Sequence, residues 1–563
     1  MNFRIENTGD RRGGGKTRRL RRWGPPFFFI FLLALGCFLH RDYGISWDEL
    51  AERRTGFLSF FCALSPQVTP LSEVQQICGG DCYYGMGFQH ILASAEMLLW
   101  GERQLLESPK GNCDIWNLRH LLIFVFVWFG LIALYGSGKL LWRRRFPAML
   151  PVFLFLLVPR FWAESFFNVK DMVFLASEMI AGYFLLRMMK SPRYGNVLLC
   201  ALFVAFSASV RLIGGSLFIV GAAVLLTAPG VDWKRRLSLL LLLSAVSAAA
   251  LIAFYPIAWS SPVRFFPEAV QYMRAHPWNG GILFFGREYI ASRVPWYYIP
   301  GWMAVTLPVP LMVLFVCGHR RIVADIAARS RPHRPVFPRR CRILFAAYFY
   351  LSLLAVMIFC RTCYNGWRQF YFLAWPMLFI AAEGVLMLLR FGRRRPRFRR
   401  IVQTALALWV ASTLAWMGYV HPYQHLFFNV LAGAPNDRFE LDYWHVASRD
   451  ALRFIAARAA ERGESVPVAL NTTNYFTVCG LKRNERPYVR IVPQEDFCRY
   501  FIFHSHPQWR PELGGRPFRA AFPTEVRVAR EVGIRSSLFL HPVFVYRIYE
   551  FFPEPPRGQK EGI

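Results

Sequence analysis

Long apolar runs recur along this chain, and they restrict its possible folds more than any other feature. The chain has 563 residues, of which 55% are hydrophobic and 17% aromatic. Many runs rich in Leu, Phe, Val, Ala and Ile approach the roughly 20 residues that a helix needs to cross a bilayer. We predict about eleven spans, at approximately residues 25–40, 119–141, 147–159, 171–189, 196–210, 213–228, 237–258, 299–317, 343–360, 371–389 and 401–419. The pattern predicts an all-α polytopic membrane protein.

Basic residues lie between the apolar runs and give the chain a formal net charge of +32. They form short bursts such as "RRGGGKTRRLRR", "WRRRF" and "RFGRRRPRFRR". Short loops rich in Arg and Lys belong on the cytoplasmic side of a membrane. A protein that binds nucleic acid would instead carry its charge on one face. The charge therefore indicates topology, and no nucleic-acid partner is predicted.

The first apolar run is predicted to be an uncleaved span that follows a basic cytoplasmic tail, residues 1–24. It has the basic flank of a signal peptide, but no small-x-small cleavage site follows it. Residues 83–101 are predicted to form an amphipathic helix on the outer membrane surface, because counting them as a span would move later Arg-rich bursts outside. Four segments then lie on the extracytoplasmic side: 41–118, 159–171, 259–298 and everything after about 420.

Residues 421–563 have ordinary polarity and are predicted to form a small extracytoplasmic α/β domain. The helix candidate is "ASRDALRFIAARAAERG", and the strand candidates are "VPVAL", "YVRIV", "RYFIF" and "FVYRIYEF". Seven cysteines fall on the same side, where disulfides are permitted: Cys62, Cys78, Cys82, Cys113, Cys363, Cys479 and Cys498. "CGGDC" lacks a second Cys or His pair at zinc spacing, so neither a metal nor another cofactor is predicted.

An acidic pair, Asp48 and Glu49, follows the first span in the stretch "YGISWDEL". Ser46 to Glu49 fits a capping box, in which Ser46 caps a helix and Glu49 accepts a hydrogen bond from the backbone N–H of Ser46. On that interpretation the acids only begin a helix. A carboxylate held against the membrane surface also suits the deprotonation of a hydroxyl group.

Other charged residues lie next to the predicted spans on the same side. This set consists of Arg119, His120, Arg160, Lys170, Asp171, Arg361 and Arg368. Each alone is typical of an interfacial anchor. Acids and bases that converge from several loops on one face are more informative, because cations there suit a lipid-linked phosphate at headgroup depth.

The motifs that carry these residues resemble a known family. In order they are "WDE", "LRH", "PRFWAESFFNVKD", "SVRLIGG", "GREYIASRVPWYYIPGW", "YNGWRQFYFLAWP" and "HPYQHLFFNVLAGAPNDRFELDYW". The set resembles the polyprenyl-phosphate-sugar-dependent glycosyltransferases of the GT-C fold over residues 25–450. It is most similar to the bacterial family 39 group, related to protein O-mannosyltransferases and to the aminoarabinose transferase of lipid A.

The resemblance implies that residues 25–420 form a GT-C transmembrane glycosyltransferase domain in a bacterial inner membrane. Such an enzyme moves a sugar from a polyprenyl-phosphate donor, with inversion, to a hydroxyl of a protein, lipid or glycan acceptor on the extracytoplasmic face. Asp48 then becomes the catalytic base, with Glu49 beside it in the acidic pair. The implied donor-phosphate residues are Arg119, Lys170, Asp171, Arg160 and Arg368.

The chain departs from the family pattern at two positions. Asn168-Val-Lys-Asp171 stands where the family has Asn-Pro-Lys-Asp, and Gln369 follows Arg368 where the family has His. Arg211 in "SVRLIGG" is predicted either to form a structural pair or to act in function, since an Arg within a membrane is a functional candidate. His421 and Tyr423 are predicted to pack at the junction between the last span and the outer domain.

Two other classes of protein fit the composition. A transporter or flippase would share the apolar spans, but it should show inverted repeats and spans broken at matching positions. A non-catalytic GT-C relative in envelope assembly would keep the fold without the chemistry. The charges at one surface and the ordered motifs favour the transferase.

Overall fold

The computed structural model describes residues 14–64, 70–106, 113–276, 278, 280–327, 336–360, 362–363, 365–470, 475–493, 498–504, 524–535 and 541–553. Helices dominate the described residues as far as 462. They are α1 (Gly14–Leu39), α2 (Asp48–Leu64), α3 (Leu71–Cys78), α4 (Gly87–Leu106), α5 (Asp114–Trp142), α6 (Arg145–Leu156), α7 (Pro159–Phe167), α8 (Asp171–Lys190), α9 (Tyr194–Val210), α10 (Ser216–Leu226), α11 (Trp233–Ala253), α12 (Pro262–Arg274), α13 (Tyr298–Thr306), α14 (Val309–Ala327), α15 (Val336–Phe359), α16 (Ala374–Phe391), α17 (Pro396–Tyr419) and α18 (Ser448–Arg462).

Apolar helices suited to a membrane make up most of the fold. Six are long and apolar enough to cross a bilayer: α5, α8, α11, α15, α17 and the segment Arg368–Arg394 that contains α16. Two bent pairs, α6 with α7 and α13 with α14, would raise the count to eight. Three shorter apolar helices, Trp23–Leu39, Tyr194–Val210 and Leu212–Leu226, coincide with other predicted spans. A polytopic helical membrane protein is therefore confirmed, and the number eleven stays a prediction.

The bends in the two pairs come from proline. Pro159 begins α7 and Pro308 separates α13 from α14, and the helix axes turn by 75° and 116° at these breaks. A proline lacks the N–H that would continue the helical ladder, so the preceding helix ends. The segment 159–171, predicted as an outer loop, thus contains the short helix α7.

Helices α8 and α16 lie at the centre of the bundle. Most residues of both helices are buried, whereas α11 and α17 expose most of theirs, as helices facing lipid do. Glycine permits the closest approach between α14 and α16. A Cβ on Gly318 would lie 1.9 Å from the Ile380 carbonyl oxygen, and one on Gly384 would lie 2.0 Å from that of Leu314. Small residues allow helices in a membrane to pack at such short distances.

The C-terminal domain is a five-stranded sheet with α18 packed against it. The strands are β3 (Val466–Leu470), β4 (Val489–Ile491), β5 (Tyr500–Phe503), β6 (Thr524–Arg535) and β7 (Pro542–Pro553), in the order β4-β3-β5-β7-β6. Strand β3 runs parallel to β4 and β5, and β7 runs antiparallel to β5 and β6. The predicted helix and all four predicted strands are confirmed.

Several elements were not predicted, among them α3, α12, one strand and one hairpin. Strand β6 lies at the edge of the sheet, and register shifts after Val528 and Val532 interrupt its apolar alternation. A short antiparallel hairpin, β1 (Gly281–Phe284) with β2 (Arg287–Ile290), lies in the loop before α13.

Residues 83–101 fall largely within α4, which is broken at Gly101 and is not among the candidate spans. Its place on the outer membrane surface stays a prediction.

Polar contacts and one disulfide join the C-terminal domain to the membrane domain. The Tyr423 hydroxyl donates a hydrogen bond to Asp450 of α18, and His421 Nε2 lies 3.1 Å from an Asp42 oxygen just after α1. The predicted packed junction is confirmed by these contacts. Cys113, directly before α5, forms a disulfide with Cys479 across 366 positions of sequence.

The double variant Cys113→Ser/Cys479→Ser should unfold more easily than the parent protein. A cross-link that closes so long a loop restricts the unfolded chain, so its loss should lower the free energy of unfolding by about 2–4 kcal/mol. Thermal unfolding in detergent measures the change, and Cys37→Ser, which removes an exposed free thiol in α1, is the control. A protease digest of the non-reduced protein should contain a peptide pair linked through Cys113 and Cys479. Its absence would contradict the pairing.

Candidate active site

Several helix ends meet around a cavity of about 210 Å³. The beginning of α2, the beginning of α8, the end of α9 and the segment before α16 all contribute side chains. The charged residues that line it are Asp48, Glu52, Asp81, Lys170, Arg211 and Arg368, and the aromatic ones include Trp47, Tyr84, Trp278 and Tyr443. The predicted topology puts these helix ends on one face, and the structure brings them together.

Asp48 is the first residue of α2 and faces the cavity. The Tyr443 hydroxyl lies 3.1 Å from both Asp48 oxygens and donates a hydrogen bond to the carboxylate. Arg368 Nη1 lies 3.4 Å from Oδ2. Burial raises the pKa of the Asp48 carboxyl, and the Glu52 carboxylate raises it further, against the opposing charge of Arg368. The side chain is still 31% exposed, so a substrate in the cavity would have access to it.

Glu49 points away from this cavity. Its Oε1 accepts a 2.7 Å hydrogen bond from the Ser46 backbone N–H, which is one half of the predicted capping box. The other half does not form, since Ser46 Oγ is buried with no hydrogen-bond partner among the described residues. Both Glu49 oxygens lie 3.2 Å from His120 Nε2. Adjacent residues of a helix project about 100° apart, which explains why only Asp48 reaches the cavity.

Asp171 is fully buried behind the cavity and joins two arginines. One of its oxygens accepts a hydrogen bond from Arg211 Nη2, and the other lies 3.0 Å from Arg368 Nη1. The Arg368 guanidinium also lies over the rings of Tyr443 and Trp444, at 4.2 and 4.6 Å. Arg211 is thus the structural partner of Asp171 and a lining residue of the cavity at the same time.

The side chain of Asn168 holds the turn that leads into α8. Val169 follows it in this chain, where the motif of the family that the sequence resembles has a proline. Asn168 Oδ1 accepts a 2.8 Å hydrogen bond from the Asp171 backbone N–H, and Nδ2 donates a 2.7 Å bond to Glu164. An Asn side chain that bonds the backbone ahead of it stabilises a turn. These two bonds hold the turn without a proline at position 169.

Lys170 lies at the cavity wall. Its ammonium forms an ion pair with Glu52 and lies 3.4 Å from the centroid of the Tyr84 ring. The neighbouring Asp171 does not form an ion pair with it. Asp171 is not available to Lys170 because both of its oxygens bind arginine.

Arg119 and Arg160 do not line the cavity. The buried Arg119 donates hydrogen bonds to Glu96 and Gln89, at 2.8 and 2.6 Å. Arg160 donates to the Phe427 carbonyl oxygen at 3.0 Å and lines a smaller cavity of about 30 Å³ on the other side of Arg368. Arg361 lies outside the described residues. A role of Arg119 or Arg160 at a donor phosphate therefore stays a prediction without support from their positions.

The structure adds residues to the site that the sequence analysis missed. Glu52 is one helical turn after Asp48, so the spacing within α2 would have revealed it. Tyr443 lies in the "DYW" of a quoted motif, yet its contact with Asp48 spans 395 positions. Asp81 follows "CGG". Burial raises the pKa of its carboxyl, the Lys170 ammonium lowers it and the Glu52 carboxylate raises it, and the net change is upward. No local pattern identifies the last two.

A larger apolar cavity of about 640 Å³ adjoins the site. The two cavities share Tyr84, Arg211 and His276. Mostly apolar side chains line the larger one, among them Leu212, Ile213, Ile219, Val356, Phe359 and Phe370, together with Gln369. The combination suits a ligand with an anionic head and a hydrocarbon tail.

No protein-family model matches the chain, and no curated protein is similar to it in sequence. Its structure is similar to that of ArnT from Cupriavidus metallidurans bound to undecaprenyl phosphate. The similarity covers 94% of this chain and 98% of that one, with a TM-score of 0.46 and 12% sequence identity. The mycobacterial arabinofuranosyltransferase AftD is also similar, over 94% of this chain and 40% of that one, with a TM-score of 0.39 and 14% identity.

Asp171→Asn should destabilise the fold much more than Asp48→Asn does. The first change leaves Arg211 and Arg368 without the buried carboxylate that they share, and breaking a buried pair typically costs about 3–5 kcal/mol. The second removes a charge that is partly exposed, so its cost should be smaller. Unfolding temperatures of both variants in one detergent measure the difference. Equal shifts would mean that Asp171 is not the carboxylate that holds this end of the bundle.

Proposed function

We propose that the protein is a membrane glycosyltransferase that moves a sugar from a polyprenyl-phosphate donor to an acceptor hydroxyl, with Asp48 as base. The observation that carries this proposal is the position of the Asp48 carboxylate. It shares one cavity with Lys170, Arg211 and Arg368, and that cavity adjoins an apolar one. The ordered motifs that resemble family 39 transferases support the same reaction.

The donor would occupy both cavities. Its phosphate would lie among Lys170, Arg211 and Arg368, since a cation that meets a phosphate forms a strong charge-assisted hydrogen bond. Its polyprenyl chain would lie along the apolar side chains of the larger cavity. The Lys170 ammonium forms an ion pair with Glu52. It has three N–H donors, so it can bind the phosphate while it keeps that ion pair. Asp171 would act from behind, by fixing the two arginines.

In the reaction the acceptor hydroxyl gives its proton to the Asp48 carboxylate. The hydroxyl oxygen then forms a bond to the anomeric carbon of the sugar, on the face opposite the leaving group. The bond between that carbon and the phosphate oxygen breaks, and polyprenyl phosphate leaves with the electron pair. Attack from the opposite face inverts the anomeric carbon. The cations would stabilise the charge that develops on the phosphate.

The reaction is proposed to occur on the extracytoplasmic face of a bacterial inner membrane, with the N-terminus in the cytoplasm and residues 421–563 outside. Two observations support this orientation. The bursts "WRRRF" and "RFGRRRPRFRR" follow α5 and α16, at the ends of these helices opposite the candidate active site, as the positive-inside rule requires. The Cys113–Cys479 disulfide lies at the cavity end of α5, and disulfides persist in oxidising compartments.

Asp48→Asn should abolish transfer while the protein still folds and binds its donor. Loss of a general base typically costs about 10²–10⁴ in rate, so the assay of purified enzyme with a polyprenyl-phosphate sugar must cover that range. Glu73→Gln, which neutralises an exposed acid of α3 away from the cavity, is the control. Turnover near that of the parent would remove Asp48 from the chemistry and leave it as the first residue of a helix.

The pH profile should follow from the raised pKa of Asp48. A base acts only when it is ionised, so kcat/KM should fall as the pH drops through this pKa. The acid limb should lie above the pH expected for an ordinary Asp, whose pKa is about 3.9. Glu52→Gln removes a carboxylate that raises this pKa, and it should shift the limb to lower pH. An unchanged limb would mean that another group controls it.

Lys170→Met should weaken the use of the donor far more than the use of the acceptor. The variant lacks the ammonium that would meet the phosphate, and Lys170→Arg should restore part of the loss because the two cations differ in shape. Lys190→Met, at the other end of α8, removes an exposed cation and serves as the control. Apparent affinity for the donor in nanodiscs is the measurement. If the Lys170→Met enzyme handles the donor as the parent does, Lys170 is only an interfacial anchor.

A further inference from the structure

A fourth cavity, of about 430 Å³, lies on the other side of the segment that carries Asp48, and we call it the interdomain cavity. Its wall includes Arg41, Asp42, Tyr43 and Ile45 of that segment, whereas Trp47 and Asp48 line the candidate active site. The beginning of α5 forms another part of the wall, and residues of the C-terminal domain close it. The cavity thus lies between the two domains.

Positive charge dominates the interdomain cavity. Two carboxylates, Asp42 and Asp114, face six cations: Arg41, Arg449, Arg453, Lys482, Arg483 and Arg486. Cations gathered in one cavity repel one another. This repulsion weakens only when an anion binds or solvent screens the charges.

The neighbouring carboxylates neutralise little of this charge. Asp114 lies 3.3 Å from Arg483, but the two side chains are 55% and 85% exposed, and exposed pairs of this kind contribute little. Glu485 lies 3.6 Å from Arg453. Asp42 lines the cavity, and its carboxylate also lies 3.1 Å from His421 Nε2.

Two of the cations donate hydrogen bonds to backbone carbonyls, which carry no net charge. Arg449 is 8% exposed and donates to the carbonyl oxygens of Asp42 and Gly480. Arg486 donates to the Leu481 carbonyl oxygen at 3.0 Å. Burial lowers the pKa of both guanidinium groups, and Arg453 lowers that of Arg449 further. Nearby carboxylates act in the opposite direction: Asp450, Asp42 and Glu485 on Arg449, and Asp114 on Arg486. The pKa of both guanidinium groups stays lowered, so these carboxylates offset the burial and the repulsion only in part.

We propose that this cavity binds the phosphate headgroup of an anionic membrane phospholipid, and that the lipid joins the two domains. Arg41 follows the end of α1 by two residues and Asp114 begins α5, so the cavity lies where apolar helices end, at headgroup depth. Guanidinium groups match the geometry of phosphate, and basic clusters beside a membrane span attract anionic lipids. Arg41 comes from the membrane domain and the other five cations from the C-terminal domain, so one phosphate would bridge the two. This site is separate from the donor cavity, and the inference does not rest on the proposed transfer.

The test compares two double variants in nanodiscs. Arg41→Gln/Lys482→Gln removes two exposed cations, one from each side of the cavity, and Arg490→Gln/Arg527→Gln removes two exposed cations of the sheet outside it. The unfolding temperature of each protein is measured in phosphatidylcholine nanodiscs, with increasing phosphatidylglycerol or with added inorganic phosphate. Phosphatidylglycerol should stabilise the parent and the control double variant. The cavity variant should need a roughly thirtyfold higher fraction of phosphatidylglycerol for the same effect.

Two results would overturn the inference. If phosphatidylglycerol stabilises the cavity variant as it does the parent, the lipid binds elsewhere. If inorganic phosphate stabilises the parent as strongly as the lipid does, the cavity takes a soluble phosphate, and the assignment to a phospholipid is wrong. Neither result would affect the proposal for Asp48, whose test measures transfer and not stability.

Discussion

The buried carboxylate of Asp171 is the group on which the rest of the site depends. It lies at the beginning of α8, and it binds Arg211 at the end of α9 and Arg368 in front of α16. An isolated carboxylate would be too costly to bury, and two arginines that shared no acid would be equally costly. Each group therefore requires the others. Because α8 and the segment that contains α16 are the most buried of the six candidate spans, this network fixes one end of the membrane core.

The same network positions the residues that face the cavity. Arg368 contacts Asp171 on one side and Asp48 on the other, and its guanidinium stacks on Tyr443 and Trp444. Asn168 sets the turn from which both Lys170 and Asp171 project. The cations are thus held at defined positions before any ligand binds. Pre-organised charge of this kind needs no rearrangement when negative charge develops on a substrate.

How much of this could be predicted from the sequence depended on the range of the interactions. Hydrophobic runs and strand alternation are local, so they predicted the helices and most of the sheet. Asp48, Lys170 and Arg368 were candidates because each lies at an end of an apolar run. All three line one cavity, and their roles stay predictions. The direction in which a side chain projects is harder to predict, since a rotation of only about 100° around the axis of α2 separates Asp48 from Glu49. Arg119 also lies at an end of an apolar run, as the other candidates do. In the structure, however, it is buried and donates hydrogen bonds to Glu96 and Gln89.

The segment between α1 and α2 lies between the candidate active site and the interdomain cavity, and residues 421–446 hold it in place. The Tyr43 ring stacks on Phe166 at 4.6 Å, and its hydroxyl donates a hydrogen bond to Gln424. A Cβ on Gly44 would lie 2.0 Å from the Val446 carbonyl oxygen, so only glycine allows this approach. The backbone N–H of Trp47 donates a hydrogen bond to the backbone carbonyl oxygen of Trp444 at 3.3 Å. Asp48 follows directly, so its position is set as much by residues 421–446 as by the helices. Any ligand that holds the C-terminal domain against the membrane domain would therefore also stabilise the position of the carboxylate that we propose as the base.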